Sequence, residues 1–259
     1  MMCNKLRLAV LAVSLVSFSA SAQSSVGAPT LYFDRDDNIL ANMNNSQAKF
    51  NQFTAALSSY GVETVEGIST VDPPFGFDPT LVFGATGITA STQSTTFAVT
   101  APFPGFSIGS KMLVESDALA LFDPQAPQFP QSPTIFAFNQ YVTAFGLYVL
   151  QGGDEGVPAN PAYNNNPTIF RLTDTVANTS VDVPVQFGPG WGFNNIAFVG
   201  LTDTVPFNQV SIIETTDMTD GMTYDNLVAG TAVPEPSSLV LLMLGSVCAV
   251  CRAARFRCG

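Results

Sequence analysis

Ile-Phe-Ala-Phe-Asn at residues 135–139, followed after two residues by Val-Thr-Ala-Phe-Gly-Leu-Tyr-Val-Leu at residues 142–150, is the stretch that most clearly indicates the fold of this chain. β-Branched and aromatic residues dominate it, and these are the residue types that strands favour. Along most of the chain the apolar residues recur with a period of two rather than 3.6. The stretch therefore predicts two neighbouring β-strands, at 135–139 and 142–150.

Segments of the same kind lie on both sides of this stretch, separated by turns rich in proline and glycine. The other predicted strands are residues 62–70, 81–88, 92–100, 106–114, 118–122, 168–173, 180–187, 196–201, 210–215 and 222–228. About a dozen short strands in one body predict an all-β fold, a two-sheet β-sandwich of jelly-roll type over residues 62–232. Leu-Thr-Asp-Thr-Val occurs twice, at 172–176 and 201–205. We interpret the two copies as the same type of turn at the ends of two strands.

One segment departs from the period of two. Residues 47–59 repeat their apolar positions at helical spacing, and Asn44, Asn45 and Ser46 before them are residue types that cap helices. Gly61 is a stop signal. The pattern predicts one short amphipathic helix in an N-terminal extension, residues 23–61, packed against the body through Phe50, Phe53, Leu57 and Tyr60.

The residue inventory excludes several classes of enzyme. The chain has no histidine, and its four cysteines, Cys3, Cys248, Cys251 and Cys258, all lie near the two ends. Between the ends there is no thiolate nucleophile, no imidazole and no disulfide. A Ser-His-Asp triad, a Cys-His dyad and a zinc or haem site with His or Cys ligands are therefore excluded.

The charge of the body restricts its partners. Residues 23–232 hold four basic side chains against 19 carboxylates, which is a formal charge of −15. A body this acidic is repelled by phosphate backbones, so nucleic acid is not expected as a partner. Divalent cations, neutral glycans and basic partners remain compatible with the charge.

The N-terminus has the three regions of a secretory signal peptide over residues 1–22. Lys5 and Arg7 form the basic region, residues 8–18 are apolar, and Ala20 and Ala22 provide small residues for cleavage by signal peptidase. We expect a signal helix that is removed from the mature protein. The alternative is an uncleaved membrane anchor.

The C-terminus, residues 233–259, combines three elements in order. Pro234, Glu235 and Pro236 come first, 15 uncharged residues follow at 237–251, and three arginines, Arg252, Arg255 and Arg257, come next. As a helix the apolar stretch is roughly 22 Å long. That is short of the roughly 30 Å hydrocarbon core, and the arginines favour the cytoplasmic side. We expect a C-terminal apolar helix in transient contact with the inner membrane; a tail anchor or a buried helix is the alternative.

These C-terminal residues resemble the sorting segment of PEP-CTERM proteins. The resemblance implies export, processing by an exosortase, and delivery to the cell surface or the extracellular matrix, where exopolysaccharide is a candidate partner. Cys248 and Cys251 in or beside the helix and the loosely spaced arginines depart from the commonest pattern.

A second resemblance concerns the body. Residues 65–68, 142–147, 198–201 and 220–227 contain Val-Glu-Gly-Ile, Val-Thr-Ala-Phe-Gly-Leu, Phe-Val-Gly-Leu and Asp-Asn elements in an order similar to the jelly-roll bodies of other PEP-CTERM proteins. Their architecture is similar to galactose-binding-like and carbohydrate-binding modules. The resemblance implies a calcium ion, the one candidate cofactor, shared by acidic residues of the opening and closing strands. The matching candidates are Glu66, Asp220, Asp225 and Asn226. Alternatively, Glu66 and Asp225 cap strand ends in solvent.

Trp191 is the only tryptophan and lies in a loop rich in glycine. An exposed indole could stack on a pyranose while Asn194 and Asn195 bind its hydroxyls. The alternative is that Trp191 closes the end of the sandwich, with its N–H bonded to a loop carbonyl.

We expect a non-enzymatic protein of structural or adhesive type. A carbohydrate-binding module, with or without calcium, is the alternative, and a glycoside hydrolase using two carboxylates is a third. An exposed Trp191 would favour the binding module, facing carboxylates in a deep groove the hydrolase, and a groove-free surface the structural protein.

Overall fold

The computed structural model describes residues 28–37, 42–69, 79–93, 97–100, 109–115, 133–150, 167–188, 191, 195–213 and 222–233. The helix in these residues is α1, Asn44–Ala55, and Gly84–Thr86 form one 3₁₀ turn. The strands are β1 (Thr30–Asp36), β2 (Leu57–Glu63), β3 (Thr80–Val82), β4 (Thr89–Gln93), β5 (Phe97–Thr100), β6 (Met112–Glu115), β7 (Thr134–Leu150), β8 (Thr168–Asp174), β9 (Thr179–Val185), β10 (Ile196–Ile213) and β11 (Thr223–Ala232). The predicted signal helix, the C-terminal apolar helix and the predicted strand at 118–122 lie outside the described residues.

Two long central strands, β7 and β10, organise the sandwich. Their register changes twice. The first change is at residues 203–206 of β10, between the pairs Thr202–Ala144 and Phe207–Val142. The second is at residues 138–141 of β7, between the pairs Phe207–Val142 and Gln209–Ala137. These two bulges compensate each other, so both strands bend at the same place. We call this place the corner.

Each half of the pair belongs to a different layer. Before the corner, β10 pairs with β1 on one side and with the C-terminal half of β7 on the other. That half of β7 also pairs with β11, and β2 and β6 pair with the far edge of β11, which completes the first layer. After the corner, β10 pairs with β8, and β9, β4 and β3 complete the second layer. Every pairing between described strands is antiparallel. The prediction of an all-β two-sheet sandwich is confirmed.

The core between the layers is apolar and rich in aromatic rings. Phe136 and Phe138 of the second layer meet Phe145 of the first, with ring centroids 5.3 and 5.6 Å apart. Alternation along the strands produces this arrangement, because every second side chain points to the same face. Leu147, Val149, Val199, Leu201, Val210 and Ile212 belong to the same buried cluster.

The opposite face of the first layer is covered by α1. Phe53 of the helix is fully buried with Tyr148 and Phe198, and Phe50 packs against the same two rings. Because both faces of this layer are covered, the central strands are buried nearly continuously, as residues 142–150 of β7 show.

The helix ends earlier than predicted, and this corrects the expected helical face. It stops at Ala55, and Leu57 and Tyr60 lie in β2, which pairs with β11 through Leu57–Ala232 and Tyr60–Gly230. Gly61 is a strand residue rather than a stop. The interstrand hydrogen bonds outweigh the helical spacing of the apolar side chains, since that spacing is only a weak local preference.

The residues predicted as an N-terminal extension contain β1, which pairs with β10, and most of β2, which pairs with β11. They are therefore part of the sandwich. Conversely, the strand predicted at 62–70 ends at Glu63. The carboxylate of Glu63 accepts hydrogen bonds from the backbone N–H groups of Val65, at 2.7 Å, and Val82, at 2.8 Å. This bridge turns the chain at Val65, whose φ is 64°, and ties β2 of the first layer to β3 of the second.

None of the helices in the described part of the chain combines the length and the apolar character that crossing a bilayer requires.

Candidate functional site

Glu66, the first calcium candidate, lies in the turn after β2 and is partly buried. Its Oε1 accepts the backbone N–H groups of Ser110, at 2.5 Å, and Lys111, at 3.0 Å, while Oε2 accepts the Ser110 hydroxyl. The hydroxyl bond is the main cause that lowers the pKa of Glu66 below its ordinary value, and the Lys111 charge adds to it. The carboxylate therefore closes a loop rather than standing free in solvent.

Lys111 completes this link in the other direction. Its ammonium donates to the backbone carbonyls of Glu66, at 2.8 Å, and Ile68, at 2.5 Å. Backbone carbonyls are ligands that a calcium ion would also use. A positive charge supplied by the chain itself thus already occupies this turn.

Asp225 and Asn226, from the closing strand, lie at an irregularity of β11. Asp225 is opposite Tyr148, is 1% exposed, and accepts the backbone N–H of Asn226 at 2.7 Å; Asn226 has a φ of 44°. Asp220 lies outside the described residues. Within the described ranges no three His, Cys, Asp or Glu side chains are grouped so that they could hold a metal ion. The calcium site stays a prediction.

Trp191 is half-buried at the edge of the core. Its ring stacks on Phe187 with centroids 4.6 Å apart, and its backbone N–H donates to the Gly188 carbonyl at 3.4 Å. The indole Nε1 is buried and finds no acceptor among the residues that the structure describes. One face of the ring is thus covered by protein. Asn195 is 5% exposed, and Asn194 lies outside the described residues, so the glycan site at Trp191 stays a prediction.

The repeated pentapeptide forms the same turn twice. Asp174 Oδ1 accepts the N–H groups of Val176, at 2.9 Å, and Ala177, at 3.0 Å, and Asp203 Oδ1 accepts the N–H of Val205 at 2.9 Å. In both copies the aspartate accepts from the residue two positions later, which is an Asx turn. The first copy ends β8, as expected for a strand-end turn, whereas the second lies inside β10 at the corner.

The two turns border one shallow cleft, with a cavity volume of about 20 Å³. We call it the corner cleft. Leu172, Val181 and Phe207 provide its apolar part, and its lining is completed by Asp174, Thr179, Ser180, Asp203, Val205 and Pro206. Sequence reasoning noticed the repeat but could not place its two copies side by side.

The two aspartates of the cleft differ in environment. Asp203 is 6% exposed, and burial raises its pKa above the ordinary value of an aspartate. The pKa of Asp174 is lowered, chiefly by the N–H of Ala177 and then by the Tyr141 hydroxyl. Desolvation disfavours the charged form, and hydrogen bonds to the carboxylate favour it.

Tyr141 stands beside the cleft, in the bulge of β7. The residue is 46% exposed, and its hydroxyl donates to Asp174 Oδ1 at 2.8 Å. That bond is the main cause that raises the pKa of Tyr141. Asn208 holds the neighbouring turn, because its side chain accepts the Thr175 N–H at 2.9 Å and donates to the Thr175 hydroxyl at 2.7 Å.

Comparison with protein families finds a match at the C-terminus. Residues 232–257 match the family model of the PEP-CTERM protein-sorting motif. The match confirms the predicted sorting segment, and its range includes Pro234, Glu235 and Pro236 and the three arginines. The motif marks an exported protein of the cell surface that is processed by an exosortase.

Comparison with curated protein sequences finds no match. Two solved structures of CBM29-2 are similar to the chain, one of an aspartate-to-alanine and one of an arginine-to-alanine mutant, from work on ligand recognition by family 29 carbohydrate binding modules. Each has 10% sequence identity and a TM-score of 0.32, and the alignments cover 69% of this chain and 98% and 99% of the modules.

Proposed function

We propose that this chain is a structural or adhesive protein of the cell surface or extracellular matrix, without enzymatic activity, delivered there by signal peptidase and an exosortase. The observation that carries the proposal is the sorting motif at residues 232–257. Such a motif addresses the whole body to the outside of the cell, so the body acts on surface or matrix components.

The way the motif joins the body supports this proposal. Its first matched residue, Ala232, is the last residue of β11, and the backbone N–H of Val233 still donates to the Ala56 carbonyl at 2.9 Å. The sandwich therefore continues directly into Pro234 without a linker. During its transient contact with the inner membrane, the body stays close to the processing enzyme.

The body has properties suited to a passive role outside the cell. It has no histidine or cysteine, so it lacks an imidazole base and a thiolate nucleophile. In the described part of the chain the corner cleft is shallow. A rigid acidic sandwich of this kind is suited to repeated weak contacts with matrix components.

The second candidate function, carbohydrate binding, is favoured by one observation, the exposed Tyr141 ring beside the corner cleft. On this reading exopolysaccharide is the partner.

The test follows the full chain in a host that has an exosortase and in the same host without it. We expect the wild type in the surface and matrix fractions with a shortened C-terminus, as measured by mass spectrometry of the intact protein. Glu235→Ala should leave more of the chain in the membrane fraction with its tail intact, and loss of the exosortase should do the same.

Asp37→Ala is the matched control, because it removes an exposed carboxylate of the body and should leave sorting unchanged. Equal sorting with and without the exosortase would refute the proposed route. A host that builds the same matrix when the chain is deleted would refute the structural or adhesive role.

A further inference from the structure

We propose that the corner cleft and the Tyr141 ring beside it form a binding site for a neutral glycan. This inference rests on the proposed adhesive function and names a partner and a site for it. It differs from the site predicted at Trp191, whose ring is half-buried against Phe187.

The first argument is the presentation of Tyr141. Tyr141 as a residue is 46% exposed, and an aromatic ring at such a position can offer an apolar face on which the C–H face of a pyranose stacks. The hydrogen bond from its hydroxyl to Asp174 fixes the ring before any ligand arrives. A ring held in place loses less conformational entropy on binding than one that rotates freely.

The second argument is the position of Tyr141 at the corner. Tyr141 belongs to the bulge at residues 138–141 of β7, and Asp203, Val205 and Pro206 of the cleft lining belong to the bulge at residues 203–206 of β10. Asn208 and Thr175 lock the turn after β8 in between. The site is therefore built on two bent strands and a fixed turn.

The third argument is the hydrogen-bonding capacity of the cleft. Asp174 accepts three hydrogen bonds, from Val176, Ala177 and Tyr141, and all three are to Oδ1. No donor among the described residues bonds to Oδ2. Thr179, which is paired with Asp174, adds a hydroxyl on the same face of the layer, and Ser180 lines the cleft from the next position of β9. Carboxylate acceptors and hydroxyl groups beside an apolar surface are the groups that bind the hydroxyls of a sugar.

The fourth argument decides the charge of the ligand. The lining of the cleft includes two carboxylates and no basic residue. Arg171, one position before Leu172, is bound by both Asp182 oxygens, at 2.6 and 2.9 Å. Side chains at successive strand positions point to opposite faces, so Arg171 does not serve the cleft. An anionic polymer would be repelled there, and a neutral glycan is the ligand that fits.

The experiment uses the mature protein purified from the exporting host. Cellohexaose, laminarihexaose and mannohexaose are titrated by calorimetry, with polygalacturonate as the anionic probe. We expect at least one neutral hexasaccharide to bind and polygalacturonate not to bind. Tyr141→Ala should weaken binding by about tenfold or more, because stacking is lost.

Tyr60→Ala is the matched control. Tyr60 is 44% exposed in β2, which is separated from β7 by β11, and it does not line the corner cleft, so its removal should leave the affinity unchanged. Asp174→Asn should also weaken binding, while its amide oxygen can still accept the turn N–H groups. Circular dichroism of each variant verifies that it is folded.

Failure to bind any of the three neutral hexasaccharides would overturn the inference, as would equal affinities of Tyr141→Ala and Tyr60→Ala. If the chain is nevertheless sorted and matrix-associated, the proposed function stands and only the glycan site falls. If the chain binds a hexasaccharide through Tyr141 but is not sorted by the exosortase, the glycan site stands and the proposed route falls.

Discussion

Gly146 and Gly200 lie opposite each other on β7 and β10, and both are needed for the approach of one aromatic ring. A Cβ on Gly200 would lie 2.7 Å from the Phe53 ring and 2.8 Å from Phe198. A Cβ on Gly146 would lie 2.9 Å from Phe198 and 3.0 Å from Phe53. These glycines explain the two Gly-Leu elements seen in the sequence, because only a residue without a Cβ lets the helix lie this close to the sheet.

We predict that Gly200→Ala destabilises the protein by about 1–3 kcal/mol, since the rings around it are fully buried and must shift. The free energy of unfolding is measured by urea denaturation. Gly67→Ala is the control, because a Cβ there meets nothing within 4 Å. Equal stabilities of the two variants would contradict the close-packing argument, and Phe53→Leu in the Gly200→Ala background should recover part of the loss.

At the scale of single elements, α1 is held by a residue far from it in sequence. The predicted caps Asn44, Asn45 and Ser46 are instead its first turn, and no side chain at its N-cap, Met43, makes a capping bond. Asp36 at the end of β1 takes that role. Its carboxylate accepts the N–H groups of Asn45, at 3.1 Å, and Ser46, at 2.9 Å, and the Ser46 hydroxyl at 2.7 Å.

We predict that Asp36→Ala costs about 2 kcal/mol or more, because three buried or partly buried donors lose their acceptor and the helix N-terminus loses a favourable negative charge. Asp37→Ala serves as the control, since Asp37 is exposed and only pairs with Arg35 at 3.1 Å. An exposed pair contributes about 0–1 kcal/mol. Guanidinium denaturation compares the two variants, and an equal loss in both would argue against capping by Asp36.

The long strands show what local patterns miss at this scale. Segments 135–139 and 142–150 are parts of one strand, β7, and segments 196–201 and 210–215 fall mostly within β10. The exposed residues 139–141 between the first two segments resemble a turn when considered alone. In the structure they form a bulge, because the partner strand bends at the same position and keeps the ladder continuous.

At the scale of the whole molecule, negative charge is the dominant electrostatic feature. The body carries 19 carboxylates and four basic side chains, and the described residues contain two ion pairs, Arg35–Asp37 and Arg171–Asp182. Buried Asp36 and Glu63 are satisfied by N–H or O–H donors. The repulsion among the carboxylates therefore exceeds the attraction within the ion pairs. Added salt screens both, so its net effect is to reduce the repulsion.

We predict that the Tm of the full chain at pH 7 rises by a few degrees between about 10 and 150 mM NaCl. Differential scanning calorimetry measures it. The same comparison near the isoelectric point of about 4.1 is the control, because the net charge and with it the repulsion vanish there. A Tm that falls with salt at pH 7 would show that specific ion pairs outweigh the general repulsion.

Features that depend on neighbouring residues were determined by the sequence alone: the sorting segment, the strand-rich fold class and the absence of histidine and cysteine from residues 23–232. The signal peptide stays a prediction of the same kind. Such features are encoded in short contiguous patterns of charge and hydrophobicity. The tertiary structure decided what depends on residues distant in sequence, such as Asp36 capping α1, Lys111 holding the turn of Glu66, and Asp174 and Asp203 sharing one cleft. The physical reason is that strand register and the bend of β7 and β10 result from the packing of two layers around a common core, and no local pattern contains that information.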